Sequence, residues 1–130
     1  EGWCYQDGRV QFERLTQRPA FARGISRLLE VSQEGSIAIL CTEQEPLDCH
    51  RTILVAEDLA RQGVNISHIL PDGRLESHDD AIIRLMRKFG LDQPELYREE
   101  PQRRTDALRR QERRIAYVDN SEFNAGEADP

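Results

Sequence analysis

Lysine is nearly absent from this chain: seventeen of its eighteen cationic side chains are Arg, with Lys88 the exception. Such a bias can follow from codon composition alone and excludes nothing. Long apolar runs are absent as well. The longest span only a few residues, so no stretch resembles a signal peptide or a membrane span. Cysteine is scarce and odd in number, three in all. That argues against a disulfide framework, and a reduced, cytoplasmic setting is the expectation. A net positive charge is missing too. At a formal charge of -6, the surface as a whole does not suit non-specific binding to nucleic acid. Residue 1 is Glu rather than Met, as expected of a processed, excised or incomplete chain.

What is present fits one domain. The 130 residues, 38% apolar and 32% charged, can build one sizeable core. After an irregular start with a turn at "QDG", the stretch "TQRPAFARGISRLLEVS" predicts a helix. Thr16 is its expected N-cap, and Phe21, Ile25, Leu28 and Leu29 form its apolar stripe. Gly24 costs that helix about 1 kcal/mol relative to Ala, and close packing against a sheet is one reason to keep it. "IAILC" then reads as a strand buried on both faces. "CHRTILVAEDLARQ" predicts a helix closed by Gly63, and "VNISHIL" a second strand. Strand, helix and strand in this order predict a right-handed βαβ unit. The expected fold class is therefore α/β, a Rossmann-like layered domain with a short, mainly parallel sheet. A helix follows from Ser77 or Asp79 to Phe89 and closes at Gly90. A last, highly charged helix runs over "QRRTDALRRQERRIAYV", with Leu108, Ile115 and Tyr117 as its apolar contacts. Residues 1–118 form the single expected domain, and 119–130 an acidic, disordered tail.

The chemistry-bearing residues cluster. In a parallel unit, Cys41, the start of the next helix and His68 would meet at the C-terminal sheet edge, where α/β folds bind ligands. Cys49 at a helix N-terminus would have a lowered pKa and is the expected nucleophile. Arg51 is the expected anion clamp, and His50 or His68 the proton carrier. Cys41 can resolve an oxidised Cys49, and Glu43 can orient a cation or act as a base. Plainer readings stand beside these. Cys41 and Cys49 can be small core hydrophobes, and His68 a satisfied core histidine. Arg51 can simply pair with Glu43, Glu45 or Asp48. Cys41, Cys49, His50 and His68 also suit zinc chemically, although seven residues separate the two cysteines. His78 suits a helix cap, the rim of the same site, or plain solvation. Cys4 and Trp3 carry little information. The paired arginines at 103–104, 109–110 and 113–114 can meet phosphates, a partner or water, and Asp106 and Glu112 among them favour the last two.

"ILCTEQEPLDCHR" followed by "LARQGVNISHILPDG" resembles the family catalogued as domain of unknown function 488. The likeness lies in Cys-x-Glu, Cys-His-Arg and Val-x-His-Ile at this spacing, and it extends through "YQDGRVQFERLTQRPAFARGISRLLE" and "RRQERRIAYV" to residue 118. The resemblance implies a Rossmann-like domain and places the family motif on Cys41, Glu43, Cys49, His50, Arg51 and His68. It implies no activity. The family's opening strand and helix, with Thr-Ile-Gly and Asp-Val-Arg stretches, do not occur here. That implies the C-terminal portion of the family domain, either dependent on a partner or degenerate.

Three functions follow as expectations. The first is a thiol-dependent enzyme that uses Cys49 on a small anionic or nucleotide-like ligand and needs no cofactor. The second is a non-catalytic binding or assembly module, as a homo-oligomer or with a partner chain. The third is a zinc site. No membrane association is expected, and nucleic acid only through the Arg-rich last helix.

Overall fold

A computed structural model describes residues 2–117, so the tail expected at 119–130 lies outside the described residues. The chain opens on a short 3-10 turn, Gly2–Cys4, and a small hairpin of β1 (Tyr5–Gln6) and β2 (Arg9–Val10). Asp7 and Gly8 both have positive φ, at 51° and 71°. A two-residue hairpin loop requires this, and Asp-Gly supplies it. Two helices follow, α1 (Phe12–Thr16) and α2 (Pro19–Glu34), where the sequence suggested one. Pro19 divides them. It holds the preceding Arg18 extended, at φ -76° and ψ 136°. Thr16 therefore ends α1, and its hydroxyl donates back to the Glu13 carbonyl at 2.8 Å.

The parallel sheet is not formed. Residues 36–41 run without turn or bend, and no strand pairs with them among the described residues. Ile37, Ile39 and Leu40 are 43%, 40% and 89% exposed. The second expected strand is β3 (Ser67–Ile69), and it pairs antiparallel with β4 (Leu75–Ser77). "PDG" is the turn between them, with Gly73 at φ 85°. The described residues thus hold two separate two-stranded antiparallel hairpins in a mainly helical chain. This replaces the Rossmann-like reading. An apolar run is a buried strand only where neighbours cover both faces and both edges, and here nothing does. Gly24 likewise packs against no sheet, since a Cβ there would meet nothing within 4 Å.

The remaining helices stand close to expectation. A 3-10 turn, Pro46–Asp48, leads through Cys49 to a π-helical stretch, Arg51–Ala56, and then α3 (Glu57–Arg61). Gly63, at φ 83°, closes α3: its N–H donates to the Ala60 carbonyl at 2.9 Å. The Ser77 hydroxyl caps α4 (His78–Lys88) by accepting from the Asp80 N–H at 3.1 Å. A capping box between Glu99 and Gln102 starts α5 (Glu100–Ile115). Ile82, Leu85 and Met86 turn inward from α4 as their spacing predicts, and Phe89 is half-buried. With Phe12, Leu47, Ile53 and Ala107 they form the buried centre. Among the expected contacts of α5, Leu108 and Ile115 are half-buried and Tyr117 is exposed.

Gln111 of α5 positions the thiol region. It is completely buried, and its Nε2 donates to the Leu47 carbonyl at 2.7 Å and to Asp48 Oδ1 at 3.0 Å. The turn preceding Cys49 is thereby tied to the last helix. Among the described residues, no helix is long and apolar enough to cross a membrane.

Candidate functional site

The loop and the following turn bring Cys41, Glu43, Cys49 and Arg51 together. The Glu43 N–H donates to Cys41 Sγ at 3.5 Å, and the Arg51 N–H to Cys49 Sγ at 3.4 Å. The Arg51 guanidinium donates to the Glu43 carbonyl at 3.1 Å, which closes the loop on itself. Arg51 makes no ion pair with Glu43, Glu45 or Asp48; Glu45 and Asp48 pair instead with Arg84 and Lys88. Among the described residues no carboxylate pairs with the guanidinium beside the thiols.

The two cysteines differ sharply. Cys41 is exposed, and its pKa is lowered. The hydrogen bond from Cys49 is the main cause, followed by the Glu43 N–H; the charge of Arg51 adds to them. Cys49 is 2% exposed, and its pKa is raised. Burial is the largest cause there, and hydrogen bonding to Cys41 adds to it. The helix-start effect expected for Cys49 does exist, since the Arg51 N–H favours the thiolate. Desolvation outweighs it. The acidified thiol is therefore Cys41, and the thiol held up by burial is Cys49.

His50 and His68 lie apart from the two sulfurs. His50 is exposed and leans on Phe12, with ring centroids 5.3 Å apart. His68, on β3, joins a buried chain that sequence reading missed. His68 Nε2 lies 2.9 Å from His78 Nδ1, and His78 Nε2 lies 2.9 Å from Glu57 Oε2. Arg104 Nη2 and Arg61 Nε approach the same carboxylate at 3.5 and 3.4 Å. Burial would raise the pKa of Glu57, but the bond from His78 and the charges of Arg104 and Arg61 leave it lowered. Burial and the neighbouring His78 push His68 down to about 4.

An ionised Glu57 can only accept, so His78 Nε2 carries a proton. With His78 neutral, its Nδ1 accepts from His68 Nε2–H, and His68 Nδ1 is left with a lone pair. With His78 protonated, the donation reverses, and His68 Nδ1 carries the proton. The chain can thus pass a proton without breaking a contact. A cavity of about 600 Å³ lies beside it, lined by Glu57, Ser67, His78, Asp79 and Arg104 among others. One sequence signal pointed here. Glu57 stands four residues after Ile53 and among Ala56, Leu59 and Ala60, and a carboxylate on an apolar stripe needs a buried partner.

The remaining expectations are also placed. Among the described residues, no three His, Cys, Asp or Glu side chains are gathered to hold a metal ion, so the four donors of the zinc reading do not converge. Several arginines of α5 are used internally. Arg103 is buried and donates to the Leu91 and Gln93 carbonyls, Arg104 pairs with Glu57 and Asp79, and Arg110 with Asp106. Arg109 and Arg113 are exposed.

No curated protein and no solved structure matches this chain. A family model does, over residues 1–57, which takes in the cysteine loop and ends before His68. That model is described as Domain of unknown function DUF488, and over those residues the chain is similar to it.

Proposed function

We propose that this protein carries out thiol–disulfide exchange, with Cys41 as the attacking thiolate and Cys49 as the resolving thiol. The observation that supports this reading is an exposed, acidified Cys41 and a buried Cys49 in one loop closed by Arg51 on the Glu43 carbonyl. In the first step the Cys41 thiolate attacks one sulfur of a substrate disulfide. A mixed disulfide forms, and the other half leaves as a thiolate. In the second step Cys49 gives up its proton and attacks the Cys41 sulfur. The internal disulfide forms, and the second half of the substrate leaves and takes up a proton. Two protein thiols are oxidised and one substrate disulfide is reduced to two thiols.

Arg51 has a different role from the one the sequence suggested. The anion it serves first is Cys41 itself, whose charge it stabilises before attack. A small anionic disulfide would meet the same guanidinium. A reducing compartment such as the cytoplasm would keep the pair in its dithiol form.

The test is an aromatic disulfide reporter that releases a coloured thiolate. The natural chain is expected to release both halves and end with a Cys41–Cys49 bridge visible by peptide mapping. Cys49→Ala is expected to release one half and stop at the mixed disulfide, and Cys41→Ser to lose the fast reaction. An unchanged fast phase in Cys41→Ser would sink the proposal.

A further inference from the structure

The apolar segment before Cys41 serves none of this chemistry. Residues 36–41 run unbent between α2 and the thiol loop. Among the described residues, their backbone groups make no backbone hydrogen bond. The three large side chains Ile37, Ile39 and Leu40 are all exposed. An unpaired stretch of this kind presents a row of N–H and C=O groups to any strand that can pair with it.

The charges at its ends indicate which strand fits. Glu34 and Glu43 bracket the segment, and both are exposed. Among the described residues neither forms an ion pair. A second copy paired antiparallel, with Ile37 opposite Leu40, would bring the acidic end of each copy, Glu34 at the close of α2, toward Glu43 of the other. Like charges brought close together repel, and two-fold symmetry would impose this at both ends. A segment with basic flanks meets the same carboxylates favourably. The Glu43 end also carries Arg51, which is occupied by the Glu43 carbonyl and acts on Cys41. Glu34 is therefore the more discriminating end.

We infer that residues 36–41 are a docking strand for an extended apolar peptide segment flanked by Lys or Arg. Main-chain hydrogen bonds hold the segment, the exposed Ile and Leu side chains cover its apolar positions, and Glu34 selects its flank. The docked segment lies beside Cys41, but its binding does not depend on any reaction there.

The experiment uses the full chain and two labelled synthetic peptides read by fluorescence anisotropy. One alternates Val and Thr between paired Lys ends, and the other carries Glu at those ends. The Lys peptide is expected to bind about tenfold more tightly, the sum of several modest charge terms at exposed sites. Glu34→Lys is expected to remove most of that preference. Neighbouring residues of a strand present their N–H groups to opposite edges. One of Ala38→Pro and Ile39→Pro should therefore abolish binding, with the circular dichroism of the helices unchanged. Leu40→Lys, at a fully exposed side chain, should weaken binding without any backbone change. Equal affinity for the two peptides, or full binding by both proline variants, would overturn the inference. So would sedimentation showing that the chain alone forms a dimer dissolved by Leu40→Lys, because the occupant would then be a second copy.

Discussion

At the scale of single residues, solvent exposure ranks the thiols. Both cysteines receive a backbone N–H at similar distance, 3.5 Å for Cys41 and 3.4 Å for Cys49. Burial raises the one, and a neighbour's S–H lowers the other. The pair is therefore interdependent. Removing the buried donor in Cys49→Ala should move the Cys41 pKa upward, because its largest stabilising contact is lost. Iodoacetamide alkylation followed against pH would report this as a higher midpoint, with the trapped cysteine located by mass spectrometry. A midpoint unmoved by the substitution would assign the acidity to the Glu43 N–H and Arg51 alone. Arg51→Met should give a smaller upward shift, in keeping with its lesser part. The cluster itself was readable from the spacing of Cys41, Cys49 and Arg51. Which thiol is the acid was not, because desolvation depends on what packs over Cys49.

At the scale of elements, the turn before Cys49 is held from a distance. Gln111 comes from α5, yet it donates to Leu47 and Asp48 more than sixty residues earlier, with sequence separations of 64 and 63. Gln111→Leu keeps the volume roughly and deletes both bonds. Leaving the buried Leu47 carbonyl without its donor should cost about 1–3 kcal/mol, measurable by urea unfolding. The same variant should expose Cys49 to alkylation in the folded state. An unchanged rate at Cys49 would show that the turn holds its own shape. The π-helical stretch Arg51–Ala56 belongs to this scale as well. One buried hydroxyl there, Thr52 Oγ1, has no hydrogen-bond partner among the described residues. Helix positions, Gly63 at the end of α3 and Ser77 at the start of α4 were legible, because caps and apolar stripes are local signals. The π-helical winding and the break at Arg18 were not anticipated, although Pro19 was available to signal the break.

At the scale of the whole molecule, the buried histidine chain couples folding to pH. The unfolded His68 takes a proton near its ordinary value of about 6.5, and the folded one only at about 4. Between those values the unfolded state holds more protons, so stability falls as the pH is lowered through that window. Glu57 acts in the same sense: its folded pKa is lowered, so its contribution is present above the unfolded value and lost as pH falls through the folded one. After allowance for partial solvent screening, His68 should account for about 1–2 kcal/mol of acid destabilisation. Urea midpoints measured across pH 4 to 6.5 would show the slope. His68→Gln, which retains an amide donor toward His78, should flatten it. A slope unaltered in that variant would place the acid sensitivity elsewhere.

The sequence by itself determined most of the helix positions, the Gly63 and Ser77 ends, the "QDG" and "PDG" turns, and the nearness of two cysteines to Arg51. Those depend on contacts between near neighbours, where residue type and spacing suffice. It also pointed to a parallel sheet, and there it misled. "IAILC" and "VNISHIL" carry the composition of strands, but pairing is a relation between segments. Only the tertiary structure decided that Ser67–Ile69 pairs with Leu75–Ser77 and that residues 36–41 pair with nothing described. The same holds for the site. His78 suited a cap, the rim of the site or plain solvation, Cys49 was the expected nucleophile, and Glu57 carried no expectation. Packing buries His78 against Glu57 and raises the Cys49 pKa; burial and partner geometry set the charge of a titratable group, and both are settled by residues far away in the chain.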